Sequence, residues 1–228
     1  MIRGAVFCPH PPVLVPEVAQ GAAGELDDLR AACRAAVRRM AGPGVRWIVL
    51  GAGPVTARHD ATARGSLAGF GVPLEVPLGS DRPGPVELPL SLTVGAWLLR
   101  DVLGPNCAAV GFSVGVDGLD ARIEDAARAD IALLVMGDGS ARRSTAAPGY
   151  SDERAEAFDA GVAAALRSGE AEELNLDPVV GAELLAAGVP AWSAAAALLD
   201  RGKYAAELLY AQGPYGVGYF VAAWSADG

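Results

Sequence analysis

The chain of 228 residues contains two histidines, His10 and His59, three cysteines, Cys8, Cys33 and Cys107, and a single lysine, Lys203. The cysteines form no C-x-x-C pair and each stands in an apolar stretch, so no thiolate zinc cage is encoded and the thiols read as buried and reduced. With so few histidines, any metal site has to draw on His10, His59 and carboxylates. Positive charge is scarce as well. Eighteen basic residues against 27 acidic ones leave a net charge of −9, which argues against nucleic acid or an anionic membrane surface as a partner, since both need a positive face. The pairs Arg38–Arg39 and Arg142–Arg143 read as solvated surface. No apolar run free of charge or proline reaches the roughly 18 residues that a membrane span requires. Cys8-Pro9-His10-Pro11-Pro12 interrupts the start of the chain before a signal-peptide apolar region forms, so a cytoplasmic location is the expectation.

What is present is apolar residue: 52% of the chain is hydrophobic and 20% charged. Residues 1–228 therefore read as one globular domain, and a chain of this length buries about 70–75% of the surface it exposes when unfolded. No internal repeat or long linker interrupts it.

Strand and helix signals alternate. Arg3 to Phe7 reads as a buried strand that ends in the stiff loop Pro9 to Pro16. The spacing of Leu26, Leu29, Cys33, Ala36, Val37 and Met40 predicts an amphipathic helix over Glu25 to Met40, with Asp27 and Asp28 near its start and Arg38 and Arg39 at its end matching the helix dipole. Val45 to Leu50 is a continuous apolar strand running into Gly51-Ala52-Gly53-Pro54. Gly71 to Gly79, broken by Pro73 and Pro77, reads as edge structure. Leu90 to Leu103 is helical, Cys107 to Val114 a strand, Gly118 to Ala129 a short helix and Asp130 to Met136 a core strand. Helical signals follow at Ser151–Leu166, Glu170–Leu176, Val179–Ala187 and Ala191–Leu199, then strands at Ala206–Tyr210 and Val217–Trp224. This alternation predicts an α/β fold: three layers, α/β/α, around a largely parallel, mixed central sheet. In such sheets ligands sit beyond the carboxyl ends of the strands, which points to the loops carrying His10, Gly51 to Pro54, Ser113 and Asp138.

Gly111-Phe112-Ser113-Val114-Gly115 matches G-x-S-x-G at a strand end, where a strained turn can present a serine nucleophile. The hydrolases that use this turn place their histidine base after the serine in chain order. Both histidines here precede Ser113, so the serine reads as having no base. Gly51-Ala52-Gly53 is half a dinucleotide fingerprint and reads as a tight turn. Lys203 reads as part of an exposed turn, and Glu172–Glu173 as a solvated helix face. His10 differs, because Pro9 and Pro11 fix the backbone on either side and present the imidazole from a rigid loop.

Pro9-His10-Pro11-Pro12-Val13-Leu14-Val15-Pro16-Glu17-Val18 resembles the opening of the class III extradiol ring-cleavage dioxygenases, the LigB-like superfamily. Gly213-Pro214-Tyr215-Gly216-Val217-Gly218-Tyr219 is similar to that family's closing G-P-[FY]-G-V-G-Y segment. Gly137-Asp138-Gly139-Ser140-Ala141-Arg142 is similar to its central G-D-x-S-H-R segment, followed by Ala157-Phe158-Asp159 in place of a D/E-F-D helix. The likeness runs in order along nearly the whole chain, nearest to the small single-chain, Memo-like branch.

The resemblance implies an iron(II) held by two histidines and a glutamate, with a further histidine as acid/base. The first ligand maps onto His10. The second falls on Ala52 in Leu50-Gly51-Ala52-Gly53-Pro54, the acid/base histidine on Ala141, and the glutamate on Gln212. Iron(II) in a facial two-histidine, one-carboxylate site needs all three ligands. No cofactor and no catalytic residue is therefore expected. The expectation is a pseudoenzyme with a degenerate metal site, keeping a cleft lined by His10, Pro11, Ala52, Asp138, Ala141 and Gln212 for a small molecule or a protein partner. The competing enzyme reading is a metal-dependent oxygenase or hydrolase with iron(II) or another divalent metal on His10, His59 and a carboxylate. For that, His59 has to fold back; its plainer reading is an exposed loop histidine beside Arg58 and Asp60. A third reading is an interaction protein acting through another surface, as a homo-oligomer or with a different subunit.

Overall fold

The computed structural model describes residues 2–105, 107–115, 118, 123, 126, 130–200 and 202–226. Seven strands form the main sheet: β1 (Ile2–Cys8), β2 (Arg46–Ala52), β3 (Ala57–His59), β6 (Ala109–Val114), β7 (Ile131–Met136), β8 (Tyr204–Gln212) and β9 (Tyr219–Ala226). Their order is β3-β6-β2-β7-β1-β9-β8, and β4 (Arg64–Ser66) pairs with β5 (Glu75–Pro77) in a separate two-stranded sheet. β6, β2, β7 and β1 are mutually parallel, whereas β3 runs antiparallel to β6, β9 to β1 and β8 to β9. The sheet is mixed, with a parallel centre.

The central strands are apolar on both faces because both faces are covered. In β7 all six residues, Ile131 to Met136, are buried. Ala132, Leu134 and Met136 face one helical layer, and Ile131, Leu133 and Val135 the other. The first layer holds α2 (Asp27–Met40) and α3 (Leu90–Leu103); the second holds α4 (Ala155–Ser168) and α6 (Val189–Leu199), with the short α5 (Pro178–Glu183) between them in the chain. The three-layer α/β/α arrangement follows from this two-sided burial, each large aliphatic side chain contributing about 1.5–3 kcal/mol when fully buried.

α2 buries Leu29, Cys33, Ala36, Val37 and Met40, one stripe at helical spacing, with Asp27 and Asp28 in its first turn and Arg38 and Arg39 in its last. It starts two residues later than the spacing predicts, because Gln20–Leu26 winds as a 3-10 helix first. Arg30 sits beneath that turn with its guanidinium on the carbonyls of Leu14 and Ala23 and on Asp27. α3 has the predicted bounds.

Other expectations need correction. The extended edge structure expected within Gly71 to Gly79 is the strand Glu75–Pro77, but its partner is Arg64–Ser66, which the sequence did not mark as a strand. Glu170–Leu176 supplies only the 3-10 turn Ala171–Leu174. α4 begins at Ala155, because Asp152 turns the chain just before it, its carbonyl accepting from Ala155 N. The helix predicted over Gly118–Ala129 lies outside the described residues save Gly118, Ile123 and Ala126.

The chain leaves β1 for the layer of α2 and leaves β7 for the layer of α4. Adjacent parallel strands whose following segments part to opposite faces open a crevice at their carboxyl ends. His10 follows β1 and Asp138 follows β7, so both stand at that crevice.

Candidate functional site

The loop after β1 is built on proline. Pro11 and Pro12 lead into the 3-10 turn Pro12–Leu14, with Leu14 N donating to Pro11 O at 2.9 Å, and α1 (Pro16–Ala19) follows at once. The loop after β7 is stitched to everything around it. Gly137 N donates to Cys8 O (2.9 Å), Gly139 N to Gly218 O (2.7 Å) and Ala141 N to Leu184 O (3.1 Å), while Asp138 O accepts from Gly188 N (2.8 Å). Ser140 N donates to Oδ1 of Asp159 on α4 at 2.8 Å. That carboxylate lies against Gly139 and Gly218 so closely that a Cβ on Gly218 would fall 2.2 Å from Asp159 Oδ2. The glycines of both motifs are thus a bed for Asp159.

At the crevice, His10 N donates to Asp138 Oδ1 at 2.7 Å. The His10 ring is 8% exposed as a residue, and its Nδ1 lies 3.6 Å from the same Asp138 oxygen without a hydrogen-bond partner among the described residues. Burial pushes the Asp138 carboxyl above the usual range, His10 drawing it the other way through charge and through its N–H. Pro11 is buried beside His10. Ala141 lies on the same loop as Asp138 and packs with Tyr210 against the core of the α2 layer, which includes Tyr219.

Ala52 ends β2, on the far side of β7 from β1, and its carbonyl accepts from Ser91 Oγ at 2.7 Å. Gln212 ends β8, opposite Tyr219 on β9, with Tyr210 Oη 3.5 Å from its Oε1. The structure therefore joins His10, Pro11, Asp138 and Ala141 closely and sets Ala52 and Gln212 on either flank. The residues present do not fit a facial iron centre: the donor set at the crevice is one imidazole and one carboxylate, with alanine and an amide at the flanks. Among the described residues no three His, Cys, Asp or Glu side chains are grouped to hold a metal ion.

His59 is not the exposed loop residue that its neighbours suggested. It ends β3, is 8% exposed and is held on both ring nitrogens. β3 lies four strands from β1, about 19 Å across the sheet, so His59 is not brought to His10. It meets Ser113 instead. His59 Nε2 is 3.1 Å from Ser113 Oγ, and Nδ1 is 3.4 Å from Glu87 Oε1. The chain-order argument against Ser113 thus falls, because a histidine upstream reaches it by strand pairing.

Serine, histidine and carboxylate stand in line, but Ser113 is 2% exposed, inside β6, where no substrate reaches its Oγ. That oxygen also lies 2.8 Å from Val55 O, which competes with the His59 ring for its proton. The trio is a clip fastening β3 and the segment before α3 to the sheet.

A cavity of about 580 Å³ opens at the other end, by the amino ends of β2, β6 and β7, lined by Trp47, Ile48, Val110 and Ile131 with Arg46 and Arg58. It lacks the convergent polar groups found at the crevice, which is the better candidate on that ground. Sequence reasoning missed Asp159, Tyr210 and Tyr219 as site residues. Asp159 and Tyr219 lie inside motifs that were read, and only the packing gives them a role.

No family model matches the chain, and no curated protein matches it. Among solved structures, it is similar to uncharacterized protein JW3007 from Escherichia coli K12, at 12% identity and a TM-score of 0.52, over 98% of this chain and 99% of that one. At that identity the likeness speaks for the fold: the three-layer α/β/α architecture extends across both chains.

Proposed function

We propose that this chain is a non-catalytic relative of the class III extradiol dioxygenases whose crevice binds a small molecule. The carrying observation is the pairing of the buried His10 with the half-buried Asp138, with His10 Nδ1 left unpaired where the loops after β1 and β7 part. The positions to which the resemblance assigns the other three groups hold Ala52, Ala141 and Gln212. Removing even outer partners of a metal ligand typically costs about 10- to 100-fold in affinity, so the loss of two ligands leaves iron too weakly held for ring cleavage. Alanine at two of these places widens the crevice and lowers its polarity, which favours binding over chemistry.

The test is metal content by mass spectrometry after anaerobic reconstitution with iron(II), manganese or zinc, for the native protein and for His10→Ala and His59→Ala, with a catechol-cleavage assay alongside. Background metal and no cleavage are expected. Near-stoichiometric metal that disappears in both variants would overturn the reading in favour of a rearranged metal enzyme.

A protein contact at the mouth is the second reading, and one feature favours it. Tyr150 and Leu185 are 89% and 46% exposed, and Gly149 lies against the Leu185 side chain, so two large apolar groups stand together in loops at the carboxyl ends of the strands.

A further inference from the structure

We propose that the cavity of about 580 Å³ at the amino ends of β2, β6 and β7 is a second binding site, for an aliphatic carboxylate. The inference does not depend on the crevice. The volume lies within the range of small-molecule pockets, about 300–1,000 Å³. Register and pleat decide which side chains face it. Ile48, Val110 and Ile131 all point toward the layer of α4 and α6. Side chains alternate along a strand, so Arg46, two residues before Ile48 and level with Ile131, projects from the same face. Arg58 pairs with Phe112, which also belongs to that layer, so it stands on this face too. Val110 is half-buried and open to the cavity, while Ile48 and Ile131 underlie it. Trp47 turns its ring to the other layer, and the remaining lining residues among those described are alanines. The surface is aliphatic, with no aromatic face on which a ring could stack.

Two charged side chains line the cavity among the described residues, and both are arginines. They are not equivalent. Arg58 lies 2.9 Å from Asp60. Arg3, Arg34 and Arg39 are likewise paired, with Asp130, Asp101 and Glu207. Arg46 is exposed at the rim and pairs with no carboxylate among the described residues. Asp60 and Asp130, the carboxylates next to lining residues in the chain, are already engaged, Asp60 with Arg58 and Asp130 through bonds of 2.7 and 2.6 Å from Arg3.

An unpaired guanidinium beside an aliphatic floor suits an amphipathic anion. The planar fork of Arg46 takes both oxygens of a carboxylate, and the hydrocarbon chain leaves water over Val110. Arg58 stands two strands over and four residues along from Arg46, about 16 Å by ordinary strand spacing. Its stem closes the far end of the floor while its head stays on Asp60. An alcohol of the same length covers the same apolar surface and gains nothing from Arg46. An ammonium head is repelled by it.

Octanoate, 1-octanol and octylammonium, each kept below the concentration at which it self-associates, test this on the purified protein by calorimetry and by backbone amide NMR. Octanoate is expected to shift the amides of Ile48, Val110 and Ile131, to leave those of His10 and Asp138 in place, and to bind about tenfold or more tightly than octanol, with no octylammonium binding. Arg46→Gln, at an exposed position, should weaken octanoate about tenfold and leave octanol unchanged, with the circular dichroism spectrum of the native protein. Arg58→Gln should change octanoate binding less than about threefold. Octanol or octylammonium binding at these amides as tightly as octanoate overturns the choice of a carboxylate, and so does octanoate binding that Arg46→Gln does not weaken. Shifts at His10 and Asp138 instead would put the acid in the crevice and overturn the second site. Amides that move with none of the three overturn the cavity as a site for an aliphatic ligand and leave the crevice reading untouched.

Discussion

His10 and Asp138 are 128 residues apart in the chain, and a single hydrogen bond of 2.7 Å, from the His10 N–H to Asp138 Oδ1, ties the loop after β1 to the loop after β7. Without that acceptor the N–H is stranded in a buried place, at a cost of about 1–3 kcal/mol. Asp138→Ala is therefore expected to lower the unfolding free energy by that amount in urea titration. Asp138→Asn, whose amide oxygen still accepts, should lose less than half as much. Equal losses would mean that charge, not the hydrogen bond, holds the two loops together.

Asp159 gives the molecule a pH dependence. Burial pushes its carboxyl up to about 6, while the Ser140 N–H and Arg143, 3.5 Å away, draw it down. The folded value lies above the unfolded one, so the associated stability is fully present below pH about 4 and lost as pH rises through about 6. The difference of roughly two units corresponds to about 3 kcal/mol at most. Stability of the native protein should fall between pH 4 and pH 7.5 relative to Asp159→Asn, whose amide does not titrate. Parallel profiles for the two proteins would show that Asp159 ionises freely.

The clip at the edge of the sheet yields a chemical prediction and an energetic one. Since Ser113 is 2% exposed inside β6 and its Oγ also lies 2.8 Å from Val55 O, a fluorophosphonate probe should leave Ser113 unlabelled in the native protein, as judged by intact mass. A double-mutant cycle of His59→Ala and Ser113→Ala should give a coupling of about 0.5–1.5 kcal/mol in stability. Stoichiometric labelling would reinstate the nucleophile; zero coupling would remove the clip.

All three cysteines are buried and free, and burial together with the neighbouring Cys33 thiol pushes the Cys8 thiol well above its ordinary value. The thiolate is the reactive form. Ellman's reagent should accordingly titrate no thiol within minutes in the native protein and three in denaturant. A fast native thiol would show that one of these cysteines is reached by solvent.

Much of this architecture is legible in the residues because it is local. The stripe of α2, the bounds of α3 and the apolar runs of β2 and β7 are set by side chains a turn or a pleat apart, and the alternation of such segments is enough for the layer order. Likewise Asp138 and His10 could be placed at strand ends without knowing which strands are neighbours. What was not legible depends on pairing between distant segments. β3 is three residues, Ala57–His59, too short to carry a period, and it becomes a strand because β6 offers an edge. With β3 unseen, His59 read as loop, and its contact with Ser113, 54 residues on, had no trace in spacing. The proline-broken stretch at Gly71–Gly79 was readable as extended but not as the partner of Arg64–Ser66. Asp159 showed only as a helix residue; its bed of Gly139 and Gly218 comes from two other places in the chain.

The position of β1 has a consequence for how the molecule comes into being. β1 is flanked by β7 and β9, Phe7 pairing with Val135 on one side and Ala222 on the other. During synthesis the strand bearing the His10 loop therefore leaves the ribosome long before either neighbour exists, with an apolar, unpaired edge on both sides. Contacts of such sequence separation form slowly because chain-closure entropy is lost before they give anything back. The crevice is thus a late structure: no nascent chain that stops short of Asp138 contains it, and β9 covers the other edge of β1 only after every other described strand has been made.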